Sequence, residues 1–249
     1  MKIVVIGGSG RIGSKVIKNL RERGHDAVAA DLNTGVNTIT GEGLDAALAD
    51  AQVVVDLENS PSFEDAAVLE FFQTSGHNLL KAEETAGVEH HVALSIVGAD
   101  RLPDSGYMRA KVAQEQLIEA AGRPYTVIRS TQFFEFLRAI ADSATDGDTV
   151  TVPTANLQPI AGQDVAAAVT EAAMSDPING VIEIAGPAAI GFPKLIRDVL
   201  NADHDPRSVV GDPHARYFGT ELTDTSLTPG PDARLGHTTF TEWLAVNHG

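Results

Sequence analysis

The chain has 249 residues, 43% of them hydrophobic, enough to bury a sizeable core in one α/β domain with a small appendage. It holds no cysteine, which excludes disulfides, iron–sulfur ligation and thiol catalysis, so redox chemistry must come from a bound cofactor. Its net charge of −16 opposes phosphate backbones, and no nucleic-acid partner is expected. No apolar run approaches the roughly 20 residues of a membrane helix, and a strand from residue 2 leaves no room for a signal peptide. Both point to a cytoplasmic chain without a membrane partner, as a monomer or homodimer.

Lys2 to Ile6 is predicted as the first strand, followed by a helix on which Ile12, Val16, Ile17 and Leu20 recur before Gly24 ends it. Ala27 to Ala30, Gln52 to Leu57, His91 to Val97 and Tyr125 to Arg129 read as further strands, and Phe63 to Ala86 and Tyr107 to Ala121 as helices. This alternation marks repeated βα units, and hence an α/β chain with a doubly wound, Rossmann-type parallel sheet. Beyond Arg129 the pieces shorten: a helix over Gln132 to Ala141, strands near Thr149 to Val152 and Val181 to Ile184, and helices near Val165 to Met174 and Lys194 to Leu200. Asp203 to Arg234 shows little periodicity, and Phe240, Trp243 and Leu244 suggest a short terminal helix. The expected organisation is a single domain, 1–249, with a core over about 1–130 and a small substrate-capping lobe over 131–249.

The first strand runs into Gly7-Gly8-Ser9-Gly10-Arg11-Ile12-Gly13. Glycines at 7, 10 and 13 allow a tight turn, close approach of backbone to a pyrophosphate, and packing of the next helix on the sheet. The helix start then offers N–H groups and a positive dipole end to phosphates, so Gly7, Ser9, Gly10, Arg11, Ile12 and Gly13 are the expected dinucleotide-binding residues. Asp31 ends the second strand, where a carboxylate accepts from the adenosine ribose hydroxyls and repels a 2′-phosphate. No Lys or Arg lies between Arg23 and Lys81, which tilts NAD(P)(H) toward NAD(H), although Arg11, Asn33 and Thr34 could still supply donors to a phosphate.

Tyr107 and Lys111 stand at i and i+4 on one helix face, where a lysine beside the phenol favours the phenolate and equips Tyr107 as a general acid/base. Lys111 could also hydrogen-bond a ribose, and Ser95, at a strand's C-terminal end, could polarise a substrate carbonyl. The bland alternative is a tyrosine opening an amphipathic helix with its lysine solvated. Asn59 and Ser60 would meet the cofactor's ribose or phosphates, or else form a turn and cap before the 63–86 helix. Gln132 and Phe133 could line an apolar substrate pocket, against a core reading of the same aromatic run. His90 and His91 are adjacent and cannot both face one metal from a strand, so no metal is expected.

Taken together, Gly7-x-x-Gly10-x-x-Gly13, the Ser95 strand, Tyr107-x-x-x-Lys111, the segment Tyr125 to Phe134 and the stretch Gln158-Pro-Ile-Ala-Gly-Gln-Asp-Val165 resemble the short-chain dehydrogenase/reductase superfamily, and more narrowly its atypical, NmrA-like branch. That resemblance implies NAD(P) across the C-terminal strand edges, Tyr107 as proton donor, Lys111 on the nicotinamide ribose and Ser95 orienting the reacting carbonyl. The expected function is an NAD(P)-dependent oxidoreductase acting on a small carbonyl, quinone or alcohol by hydride transfer. The rival expectation is an NmrA-like dinucleotide sensor without turnover, and a third is a sugar-nucleotide epimerase or dehydratase recycling its NAD.

Overall fold

A computed structural model describes residues 1–247. In chain order its first half contains β1 (Lys2–Ile6), α1 (Gly13–Glu22), β2 (Asp26–Ala30), α2 (Leu44–Leu48), β3 (Val53–Asp56), α3 (Asp65–Ala86), β4 (His90–Ile96), α4 (Gly106–Ala120) and β5 (Tyr125–Ser130). Next come α5 (Leu137–Ser143), β6 (Thr145–Asp146), β7 (Thr149–Val152), β8 (Asn156–Leu157), α6 (Gly162–Met174), β9 (Gly180–Ala185) and β10 (Ile190–Gly191). The chain closes with α7 (Phe192–Ala202), β11 (Ser208–Gly211), β12 (Arg216–Tyr217), β13 (Thr220–Glu221), β14 (Arg234–Leu235) and α8 (Phe240–Asn247).

Seven strands form one parallel sheet in the order β14-β9-β5-β4-β3-β1-β2, so the sheet is the doubly wound type expected. The apolar runs explain it: every residue of β3, and Ile3 to Ile6 of β1, is buried, as strands covered by helices on both faces require. The chain leaves β1 for β2 on one side and returns to β3 on the other. That reversal opens a crevice at the C-terminal ends of β1 and β3, the place where open α/β sheets receive ligands.

The chain divides into two compact units, 1–129 with 165–182, and 130–164 with 183–249. The second begins where the sequence pattern loosens, but 165–182 returns to the first. In the first unit, α1 buries Val16, Ile17 and Leu20 and stops at Gly24, whose φ of +82° suits only glycine well. Val68 and Phe72 of α3 pack on Ala110 of α4. His90 and His91 face apart, the first meeting Thr126 Oγ1 at 2.9 Å and the second Glu83 Oε1 at 2.8 Å.

In the second unit β11, β7 and β6 form a three-stranded sheet, with β11 parallel to β7. α7 buries Phe192, Leu195, Ile196, Val199 and Leu200. The helix expected from Gln132 begins only at 134, as a short tight turn, and becomes α-helical at Leu137. Gln132 and Phe133 stay extended because they pair with Ile160, through Ile160 N–H to Gln132 O at 2.8 Å and Phe134 N–H to Ile160 O at 3.0 Å. Among the described residues no helix is long and apolar enough to cross a membrane.

Candidate dinucleotide site

The glycine-rich turn is compact because its glycines touch backbone. Gly7 adopts φ +71°, and a Cβ on Gly13 would lie 2.3 Å from Gly7 O, closer than any real contact. Gly8, which the spacing argument did not use, is as constrained: its Cβ would meet Ala29 Cα at 2.7 Å and Val5 O at 2.8 Å. With Gly10 N–H bonded to Gly7 O at 3.0 Å, the turn delivers α1 end-on to the β1–β3 crevice. The first-turn N–H groups of a helix so placed suit a pyrophosphate.

Asp31 lies beside this turn. Its Oδ2 accepts Ser9 N–H at 2.7 Å and its Oδ1 accepts Asn33 N–H at 3.0 Å, while Thr34 closes a capping box with it. Burial raises its pKa, but the bonds from Ser9, Asn33 and Thr34 outweigh that, and the carboxyl sits below its ordinary value. A carboxylate has about four acceptor positions and these donors engage them, so ribose hydroxyls at this anion beside the phosphate cradle would have to displace one of the donors, as a ribose could at Ser9. A 2′-phosphate there would meet a negative charge.

Behind the crevice runs a buried polar chain. Lys111 Nζ donates to Leu94 O at 2.9 Å and to Gln114 Oε1, Gln114 Nε2 donates to Asp56 Oδ2 at 2.8 Å, and Asp56 Oδ1 accepts Glu58 N–H at 3.1 Å. The ammonium also lies 4.5 Å from the centre of the Phe72 ring. Lys111 is 3% exposed, and burial pulls its pKa down to about 8 against the charges of Asp56, Glu115 and Glu58. With two of its three donors so engaged it ties α4 to the ends of β3 and β4, where the sequence suggested a partner for the phenol and a ribose ligand. Glu58, missed in the sequence, has its backbone against Gly7 and its carboxyl on Thr38 Oγ1 at 2.7 Å. Burial, then the charge of Asp56, push it up to about 7.

Tyr107 is positioned by a contact the sequence did not signal. A Cβ on Gly106 would overlap the Asp65 side chain and lie 2.9 Å from its Cα, so the start of α4 presses on the start of α3, where Arg109 also bonds Asp65 Oδ2 at 2.6 Å. The Tyr107 ring sits 5.5 Å from that of Phe63 and 6.4 Å from that of Phe72. Its hydroxyl is 3.2 Å from Asn59 Oδ1, an atom that also accepts Ser60 N–H at 3.0 Å. An atom accepting a backbone N–H is the amide oxygen, so the phenol must be the donor. Burial pushes the phenol up to about 12, and it carries its proton, opposite to the phenolate that the i, i+4 lysine suggested. Ser60 itself supports the turn before α3, its Oγ accepting Ser62 N–H at 3.2 Å.

Ser95, near the end of β4, donates to Glu115 Oε1 at 2.5 Å. Arg129 holds that carboxylate through bonds of 3.0 and 2.7 Å and binds Asp100 at 2.7 Å. With its proton directed to Glu115, Ser95 has only lone pairs to offer, so in this arrangement it does not polarise a carbonyl. In the second unit, Gln132 is 6% exposed and both its amide atoms lack a partner, while Phe133 stacks on Phe136 at 5.5 Å. Among the described residues no group of three or more His, Asp or Glu stands within reach of one metal ion.

The chain is 27% identical over 223 residues to divinyl chlorophyllide a 8-vinyl-reductase, chloroplastic, of Cucumis sativus, covering 74% of this chain and 52% of that protein. It is 25% identical over 151 residues to the photosystem II assembly factor Ycf39 of Synechocystis sp., covering 55% and 46%. The chain thus spans about half the length of these curated relatives. A solved short-chain dehydrogenase/reductase superfamily protein from Agrobacterium tumefaciens, with bound NAD, superposes with a TM-score of 0.76 at 16% identity, over 100% of this chain and 96% of that one. These likenesses uphold the short-chain dehydrogenase/reductase resemblance and an NAD(P)-binding, oxidoreductase-type fold. A family model described as NAD(P)H-binding matches residues 7–176, from the glycine turn to the far side of α6, and the chain belongs to that family.

Proposed function

We propose that this chain is a reductase or dehydrogenase that uses NAD(P)(H), with NAD(H) preferred, on a small carbonyl, quinone or alcohol. The observation that supports it is the pairing, at one strand edge, of the Gly7–Gly13 turn and Asp31 with a phenol that holds its proton. The nicotinamide supplies the hydride when bound. Tyr107 supplies the proton to the carbonyl oxygen once its hydroxyl turns from Asn59 Oδ1 to the substrate; Asp31 takes the adenosine ribose. Lys111 and Ser95 act behind this edge, the first fixing α4 and the second accepting a hydrogen bond.

Two observations favour a second reading, a dinucleotide-binding regulator without turnover. Lys111 is committed to Leu94 and Gln114, and one relative bears the name of an assembly factor. One experiment separates the readings: calorimetry with NADH and NADPH, followed by loss of nicotinamide absorbance with a panel of quinones and ketones. Turnover that falls about 10²-fold or more in Tyr107→Phe with unchanged NADH affinity supports the reductase. Tight binding without turnover on any panel member supports the regulator, and absence of binding removes both.

A further inference from the structure

Outside the dinucleotide edge, the second unit carries an open pocket of about 250 Å³ on its surface. Its inner wall is aromatic and aliphatic: Phe134 and Phe240, whose rings lie 5.3 Å apart, with Pro159, Pro187 and Leu244. The polar groups on its lining are Lys194, Asp198, Thr239 and Thr241. Lys194 Nζ is bound to Asp198 Oδ2 at 2.6 Å on consecutive turns of α7, so the two charges cancel.

The walls are held by bonds that do not depend on a ligand. Gly236 N–H donates to Ala185 O at 2.7 Å, and Thr238 gives its N–H and hydroxyl to the Asp164 carboxylate at 2.8 and 3.0 Å. Thr239 and Glu242 then cap α8 reciprocally. The pocket is therefore preformed.

We propose that this pocket binds a small uncharged ring compound, aromatic or alicyclic, carrying a single hydroxyl or carbonyl. A cavity of about 150 Å³ holds benzene, so 250 Å³ fits one ring with a substituent. The flat Phe and Pro faces suit a ring, and the Thr241 hydroxyl suits one polar group at the mouth. A carboxylate or amine would have to shed its hydration against these apolar faces, while the nearest charges, Lys194 and Asp198, already neutralise each other in solvent. The inference is independent of hydride transfer.

Trp243 provides the reporter. It is the single tryptophan of the chain, and its ring lies 5.5 Å from that of Phe134 and 6.3 Å from that of Phe240, both lining residues. Titrating the intact protein with cyclohexanol should shift its fluorescence saturably, with a midpoint on the order of millimolar for so small a ligand. Ala188 lines the pocket from an exposed position, so Ala188→Phe fills it without disturbing the core and should weaken binding about tenfold at an unchanged melting temperature. On the wild-type chain, cyclohexanecarboxylate should bind at least about tenfold more weakly than the alcohol. A response linear in cyclohexanol overturns the site, as does one equal in Ala188→Phe. Tighter binding of the carboxylate overturns the ligand class.

Discussion

Glu58→Gln tests the electrostatics of the crevice without any ligand. The glutamine keeps an oxygen to accept the Thr38 hydroxyl, as Glu58 does at 2.7 Å, and removes the titration, while its NH2 group meets the Ser75 hydroxyl, which must turn to accept. Glu58 sits near 7 in place of 4.5 because it is buried, and because of the charge of Asp56, whose carboxylate accepts Glu58 N–H and Gln114 Nε2–H beside it. Between these two values the native state holds a proton that the unfolded chain releases, so stability falls as pH rises through that window. A displacement from 4.5 to about 7 corresponds to about 3 kcal/mol at most. For a chain of this size that is a melting-temperature difference of about 5–10 °C. The assay is thermal unfolding of wild type and Glu58→Gln from pH 5 to pH 8, read as the difference between the two. Titrations elsewhere, such as those of His90 and His91, are common to both and cancel. The variant should match the wild type at pH 5 and exceed it progressively toward pH 8. A difference that stays constant across the range would refute the buried-carboxylate reasoning.

Gly13→Ala, whose Cβ would lie 2.3 Å from Gly7 O, should abolish NADH binding in calorimetry, whereas Gly24→Ala, with open space around it, should leave affinity intact and cost about 1 kcal/mol for its positive φ. Lys111→Met should lower stability to urea by about 3–5 kcal/mol, because it strands Gln114 and Asp56 in the interior; a stable variant that merely loses NADH affinity would return Lys111 to the cofactor. His91→Ala leaves Glu83 buried and unpaired and should cost about 3–5 kcal/mol at pH 7, where less than 1 kcal/mol would show the pair to be dispensable. His91 is raised by Glu83 against the effect of burial, so the part of its stabilisation that depends on the charged ring is lost as pH rises through that raised value. Should turnover be found, its rate in the reducing direction should show no titration of Tyr107 between pH 6 and 9, since the phenol sits near 12, and any limb near pH 7 should disappear in Glu58→Gln.

What could be read from the sequence is what depends on neighbours along the chain. β1, the turn, α1 and Asp31 occupy adjacent positions whose periodicity and residue types suffice, and β4 and β5 follow from apolar runs bounded by breakers. Contacts between distant segments left no such trace. Nothing in the local sequence shows that Ala29 packs against Gly8 or that Asp65 packs against Gly106. The i, i+4 rule put Tyr107 and Lys111 on one face, but direction within that face was decided by burial: the lysine turned in toward Leu94 O and Gln114, and the phenol turned to Asn59. β11 lay hidden in a polar stretch because Ser208-Val-Val-Gly is too short to show a period without β7 beside it.

The separation of Tyr107 from Lys111 bears on the direction of any chemistry. A phenol with an ammonium beside it exchanges its proton near neutrality and can act as acid or base. Here the ammonium is engaged elsewhere, the amide oxygen of Asn59 accepts the phenolic proton, and burial opposes the phenolate. Such a group gives a proton readily only to an oxygen that becomes strongly basic, as a carbonyl oxygen does when it receives hydride, and it takes one from an alcohol reluctantly. The same reasoning applies to Ser95, whose proton faces Glu115 and whose lone pairs remain. Under the hydride-transfer reading the resting edge therefore holds the proton that reduction needs, and Tyr107 delivers it on leaving Asn59 Oδ1. Reduction leaves, and oxidation starts from, the same phenolate, which an Asn59 amide turned to present N–H would stabilise; Ser60 N–H on the amide oxygen opposes that turn.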